Sequence, residues 1–265
     1  MPDPMGGKRI GNLPVAADGS KNASPVVLAL LALSVGGWAA LTWMAMDMGH
    51  PLVQLAMPMS SNWTTTNLLA IWSMWAIMMA AMMLPSAMPM VLTFTRLCSR
   101  SGERMRSSAF VAAYLLIWSG FSVAATAAQW SLQKMDMVSP MIVSTSTGLT
   151  GLLLLLAGVY QFSSLKLTCL AHCRTPIGFL IGEWRGGAYG GLVMGVRHGL
   201  FCLGCCWALM ALLFVGGVMN LAWIAALSFA AAIEKLAPQG EAVARVLGFG
   251  MITAGMVRLL TLLSS

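Results

Sequence analysis

The sequence predicts an all-α membrane protein, a polytopic bundle of transmembrane helices, and three observations support this fold class. Apolar residues make up 58% of the 265 residues and charged residues only 9%, whereas soluble domains carry about 25% charged residues. Mean hydropathy is +0.81. Several uninterrupted apolar runs reach the roughly 20 residues that a helix needs to cross a bilayer, and they lack the alternation typical of a membrane barrel strand.

The apolar runs predict about seven spans. A count of six stays open, because the turn between the fifth and sixth runs is very short. The first 24 residues are rich in Pro, Gly and basic residues, which predicts a flexible tail, and residues 25–265 are expected to form a single transmembrane domain. The predicted spans cover residues 25–45, 68–94, 109–131, 142–162, 187–215, 217–233 and 243–263.

The positive charges predict the orientation of these spans. The chain has 15 Lys and Arg against 8 Asp and Glu, a net charge of +7. Twelve of the basic residues fall in the tail and in alternate loops, while Lys134 and Arg258 lie on the opposite side. The positive-inside rule then predicts a cytoplasmic N-terminus in a multi-pass protein of the bacterial inner membrane. Topology accounts for the net charge, so no nucleic-acid partner is expected.

Sulfur-containing residues are unusually abundant, with 23 Met and six Cys, and both types are ligands for soft metal ions. The fifth predicted span concentrates them. Residues three or four apart share one face of a helix. A single Cys, Met or His on such a face is more typical of packing. Three cysteines and a histidine on the same face instead indicate a ladder of metal sites. The stripe comprises Met194, His198, Cys202, Cys206 and Met210, with Cys205 beside it.

The second predicted span carries a methionine stripe. A thioether is neutral, so it can lie in hydrocarbon and still bind Cu(I), although a methionine stripe alone is more typical of adaptable packing. Pro85 removes a backbone donor and frees the carbonyl of Ala81, which predicts a kink nearby. The candidate ligands on this span are Met74, Met78, Met79, Met82 and Met83.

A third group follows the fourth predicted span, in a loop that the charge count places in the cytoplasm. Cys169, His172 and Cys173 would supply two thiolates and an imidazole with a coordination position left open. Zinc would suit this set as well as Cu(I). The alternative is a chance cluster of thiols in a reducing compartment.

On the predicted outer side the ligand type changes from cysteine to methionine. Thioethers cannot form disulfides, so methionine suits metal capture in an oxidising compartment, and cysteine suits transfer within or inside the membrane. The alternative is that these side chains are amphipathic residues of the membrane interface. The outer candidates are Met46, Met48, His50, Met135 and Met137.

Among the charged residues within or beside the predicted spans, Glu234, Lys235 and Arg197 have interpretations other than topology. Glu234 and Lys235 are most simply a neighbouring ion pair or interface anchors. Arg197 either faces the bundle or extends its guanidinium to the membrane surface. The chain has no phosphate-binding G-x-x-x-x-G-K-[ST] motif and no H-E-x-x-H metalloprotease motif.

Three motifs in residues 74–85, 161–174 and 195–207, followed by Met219-Asn220 and Glu234-Lys235, resemble those of a bacterial family of predicted metal-binding integral membrane proteins. The segment Cys-Leu-Gly-Cys-Cys-Trp at 202–207 is the most specific of them. The resemblance extends over about residues 68–236. It implies copper handling, because a tyrosinase-linked member of that family is regarded as a copper chaperone for its partner oxidase.

Residues and resemblance together predict a non-enzymatic protein that captures Cu(I) and delivers or translocates it to a copper-dependent oxidase or another acceptor. Zinc fits less well, because neutral thioethers are poor zinc ligands. One alternative is a membrane thiol–disulfide oxidoreductase that uses the cysteines of the fifth span with Cys169 or Cys173. Another is an assembly subunit of a membrane complex, in which the sulfur residues only pack.

Overall fold

A computed structural model describes residues 19–59, 62–100, 104–186 and 189–264, and these residues confirm the all-α fold class. They form eleven helices and no strand, apart from an isolated bridge between Val138 and Ser144. Residues 1–18 of the predicted tail lie outside the described part of the chain, and residues 19–24 belong to the first helix. The helices are α1 (Gly19–Met46), α2 (Pro51–Ala56), α3 (Thr65–Arg100), α4 (Arg104–Lys134), α5 (Thr147–Tyr160), α6 (Ser164–Arg174), α7 (Pro176–Glu183), α8 (Gly190–Ala211), α9 (Leu213–Gly216), α10 (Leu221–Leu236) and α11 (Gly240–Ser264).

Five segments of the described chain are long and apolar enough to cross a membrane: α1, α3, α4, α8 with α9, and α11. The fourth predicted span is divided, because α5 and α6 meet at an angle of 64°. Counted as one broken span, this pair brings the total to six. The sixth predicted span corresponds to α10, which at 16 residues is shorter than the roughly 20 residues of a full crossing. The structure therefore supports five or six spans, and the count of seven is not confirmed.

Close packing of α4 against α8 depends on three glycines spaced four residues apart on α8, Gly191, Gly195 and Gly199. Because lipid is as apolar as the helices, membrane helices associate largely through close contact, and small residues let their backbones approach. A side chain at Gly195 would meet the carbonyl oxygen of Phe110 and lie 2.9 Å from the Cβ of Ala113. The glycines thus set the distance and rotation of α8 relative to α4.

A Gly195→Leu substitution is expected to destabilise the protein by more than about 3 kcal/mol, above the usual cost of overpacking because the obstacle is backbone. Thermal unfolding in detergent would measure the loss. Gly120→Leu is the matched control, since Gly120 is exposed on α4 and has no atom within 4 Å of an added Cβ. Equal unfolding temperatures for the two variants would contradict this account of the interface.

Helix α3 continues without a break past Pro85 and Pro89. Proline leaves the carbonyl four residues earlier without its helical partner, and in a bilayer that oxygen needs another donor. The hydroxyl of Ser34 on α1 donates to the carbonyl of Ala81 across 3.3 Å. The neighbouring helix therefore satisfies the group that the proline frees.

Candidate metal centre

The thiols of α8 lie where α3, α6 and α10 approach that helix, and they are joined there by sulfurs from two other helices. Cys202, Cys205 and Cys206 are at most 1% exposed, and Met83 of α3 is fully buried. Cys173 of α6 is partly buried against them. We call these five residues, Met83, Cys173, Cys202, Cys205 and Cys206, the sulfur cluster.

Two pairs of sulfurs in this cluster lie close enough to share an ion. Cys206 Sγ is 3.7 Å from Met83 Sδ, and Cys205 Sγ is 3.9 Å from Cys173 Sγ. Metal–sulfur bonds are about 2.3 Å long, as in zinc thiolates, so two sulfurs on one tetrahedral or trigonal ion lie about 3.8–4.0 Å apart. Both pairs therefore have the spacing of shared ligands without further movement of the helices.

Cys202 contacts one member of each pair, because its backbone carbonyl lies beside both Cys205 and Cys206 on α8. The thiols of Cys206 and Cys205 donate to its carbonyl oxygen across 2.8 and 3.1 Å. Its own sulfur lies 3.1 Å from the hydroxyl of Tyr114 on α4, which also donates to the carbonyl of Met83 across 3.3 Å. Tyr114 is thus a polar neighbour of the cluster that the sequence did not single out.

The predicted ligands of α8 do not form one ready-made site. Within residues 19–59, 62–100, 104–186 and 189–264, no three His, Cys, Asp or Glu side chains are grouped as a metal centre. The further sulfur donors come from other helices, Met83 from α3 and Cys173 from α6. Met194 and Met210 are fully buried in the apolar core.

His198 is the histidine of α8 that the sequence predicts as a metal ligand, and its side chain is buried. It is 2% exposed and stacks between Phe110 and Tyr114, whose ring centroids are 5.8 and 5.7 Å away. Its Nδ1 has no hydrogen-bond partner in the described part of the chain. A buried nitrogen without a partner is costly, and a metal ion or a water molecule would satisfy it.

The methionine stripe of α3 is buried throughout, with all five members at most 2% exposed. Met83 reaches the thiol of Cys206. The other four, Met74, Met78, Met79 and Met82, belong to the apolar core, as the packing interpretation expects. The stripe therefore contributes one sulfur to the sulfur cluster, and its other four members pack in the core.

The predicted loop location of Cys169, His172 and Cys173 is wrong, because all three lie on α6. Ser163 accepts a hydrogen bond from the backbone of Lys166 and begins this new helix. Cys169 packs against Gly204 of α8, where a Cβ would lie 2.6 Å from its sulfur. His172 stacks on Phe201 at 4.2 Å, and its Nδ1 lies 2.9 Å from the carbonyl of Thr168. Of the three, Cys173 contacts the α8 thiols.

Glu234 and Lys235 do not pair with each other, so the prediction of an ion pair between these neighbours is wrong. Glu234 accepts from Lys166 across 2.6 Å and from Gln161 across 3.1 Å, with both charged side chains buried. Lys235 instead contacts the sulfur cluster. Adjacent residues on a helix point about 100° apart, so the two charges meet different neighbours.

Lys235 brings a positive charge to the sulfur cluster. The side chain is 5% exposed, and its Nζ lies 3.1 Å from Cys202 Sγ, 3.2 Å from Ser86 Oγ and 3.6 Å from Met83 Sδ. An ionisable residue among apolar helices is a functional candidate by default, but the position of Lys235 at the end of the sixth predicted span also fitted an interface anchor. Arg197, by contrast, pairs with Glu183 at an accessible position.

The outer candidates are not gathered into one site. Met48 lines a cavity of about 660 Å³ together with Met57, Met59 and Met141. His50 caps α2, since its Nδ1 accepts from the backbone of Leu52 across 3.3 Å. The lining of this cavity does not include Met46, Met135 or Met137, and Met46 and Met135 are 82% and 66% exposed.

Comparison with known proteins assigns the chain to a family. No curated protein and no solved structure matches the sequence. The model of the PpoB2 family, described as a copper chaperone, matches residues 72–258, a range that contains every member of the sulfur cluster together with Tyr114, His198 and Lys235. The chain belongs to this family of copper chaperones.

Proposed function

We propose that the protein is a membrane copper-binding protein that receives Cu(I), holds it at the sulfur cluster and delivers or translocates it to an acceptor. The spacing of the two sulfur pairs carries the proposal, because each pair fits a shared soft ion. Copper is the cargo here, and no catalytic step is assigned to the chain. A copper-dependent oxidase is the acceptor that we expect for a member of a copper-chaperone family.

The donor set favours Cu(I) over zinc. The pair of Cys206 and Met83 includes a thioether, a soft neutral ligand that suits Cu(I) and binds zinc poorly. Cu(I) accepts two or three sulfur ligands, so a sulfur pair with one neighbouring donor is sufficient. Cys202 lies beside Cys206 on α8 and could serve as that third ligand.

The order of the sites suggests stepwise transfer. The pair of Met83 and Cys206 joins α3 to α8, and the pair of Cys173 and Cys205 joins α6 to α8. With the N-terminus in the cytoplasm of a bacterial inner-membrane protein, α6 would lie at the inner side. The methionine-lined cavity beside Met48 would then lie outside and offer thioethers for capture.

Replacement of Met83 by leucine tests the pair that includes the thioether. We expect Cu(I) affinity to fall by at least about tenfold, since even outer-shell partners of a metal site contribute 10–100-fold. Competition with a Cu(I) chelator, under reducing conditions and in detergent, measures the affinity. Met90→Leu is the matched control, because Met90 is equally buried on α3 and is not part of the cluster. Equal Cu(I) affinities of the two variants would show that Met83 is not a ligand.

A membrane thiol–disulfide oxidoreductase is the second candidate, and the nearness of the Cys173 and Cys205 thiols favours it. Such an enzyme would form a mixed disulfide with its substrate, and a variant that keeps only one of these two cysteines would trap that intermediate. Trapping of a specific partner, with no Cu(I) bound to the wild type, would replace the copper proposal.

A further inference from the structure

Lys235 is the unexplained charge of the sulfur cluster. Its contacts are the sulfurs of Cys202 and Met83 and the hydroxyl of Ser86, none of which is a carboxylate. The adjacent carboxylate of Glu234 is already neutralised by Lys166, 2.6 Å away. The ammonium of Lys235 therefore adds one positive charge to the place where the proposed function puts a cation.

The distance to a bound ion is short. An ion bonded to Met83 Sδ lies about 2.3 Å from that sulfur, and thus no more than about 6 Å from the Lys235 ammonium. The energy of repulsion between two charges is proportional to the charge of each and is weakly screened in a buried site. A divalent ion in this position meets twice the repulsion of a monovalent ion.

We propose that Lys235 is a specificity-determining residue, whose positive charge makes the sulfur cluster favour a monovalent soft ion over a divalent one. The inference rests on the proposed function, because it places the ion at Met83 and Cys206. With thiolates at Cys202 and Cys206, a monovalent ion and the ammonium give a neutral site. A divalent ion would leave a net positive charge among apolar helices, which is costly.

The test compares the affinities of the full-length protein in detergent for Cu(I) and Co²⁺. Cobalt reports divalent binding through its thiolate charge-transfer absorption. Lys235→Leu and Lys235→Gln both remove the charge, and leucine adds no metal ligand. We expect removal of the charge to strengthen divalent binding more than Cu(I) binding, so that the ratio of Co²⁺ to Cu(I) affinity rises at least about tenfold.

Two control variants separate charge from shape. Lys235→Arg keeps the charge and should keep the wild-type ratio. Lys134→Gln removes the same formal charge near Trp130, at the end of α4, and should also leave the ratio unchanged. An unchanged ratio in both neutral Lys235 variants, with Cu(I) still bound, would overturn this inference alone. Failure of the wild type to bind Cu(I) would overturn the proposed function and the inference with it.

Discussion

Alanine at Cys202, Cys205 and Cys206 together is expected to reduce bound Cu(I) to background. The triple substitution removes one sulfur from each close pair and the residue that connects them. Met83 and Cys173 would remain as isolated donors on different helices. Elemental measurement of copper in purified wild type and variant, loaded under reducing conditions and compared with zinc-loaded samples, tests the expectation.

Cys98→Ala is the matched control, because Cys98 is also a fully buried thiol but lies near the end of α3, outside the sulfur cluster. The control should retain the copper content of the wild type. Thermal unfolding of the triple variant shows whether its helical fold is intact. An intact triple variant with unchanged copper content would contradict the central claim about the site.

Loss of the buried ion pair between Lys166 and Glu234 should greatly reduce stability. We expect Lys166→Met to lower the free energy of unfolding by about 3–5 kcal/mol, the usual cost of leaving a buried charge unpaired. Gln161 would still donate to the Glu234 carboxylate, but it cannot neutralise it. Because this pair holds α6 against α10, the variant should also weaken the position of Cys173 beside α8.

The double variant Lys166→Met with Glu234→Leu should regain most of the lost stability, since an apolar pair can replace a buried ion pair at little cost. Arg197→Ala is a control for ion pairs in general, because the Arg197 side chain is 42% exposed and an exposed pair contributes only about 0–1 kcal/mol. Denaturant unfolding in detergent provides the comparison. A Lys166→Met effect as small as that of Arg197→Ala would contradict the structural role of the pair.

The helical fold and the thiols of α8 could be predicted from the sequence because they depend on local pattern. Apolar runs of sufficient length predict helices whatever their neighbours are. Cys202, Cys205 and Cys206 lie within two turns of one helix, so their proximity follows from helix geometry. The division of the fourth span into α5 and α6 was not predicted. The second helix begins at a capping hydrogen bond to Ser163 rather than at a change in hydropathy.

The partners of those thiols could not be predicted, because they belong to other helices. Five methionines lie on neighbouring faces of α3, and the rotation of α3 relative to α8 selects Met83 for contact with Cys206. In the same way, the rotation of α10 turns Lys235 to the sulfurs and Glu234 to Lys166. A difference of one residue changes the direction of a side chain by about 100°.

Residue types and their helical spacing by themselves determined the long apolar helices of this protein, its abundance of soft potential ligands and the stripe on α8. Which sulfurs pair, and which charge accompanies them, was decided only by the tertiary structure. The physical reason is that a shared ion requires donors within about 4 Å of one another. Across separate helices that spacing depends on close contacts such as the one at Gly204, where α8 approaches Cys169 of α6, the helix that also carries Cys173.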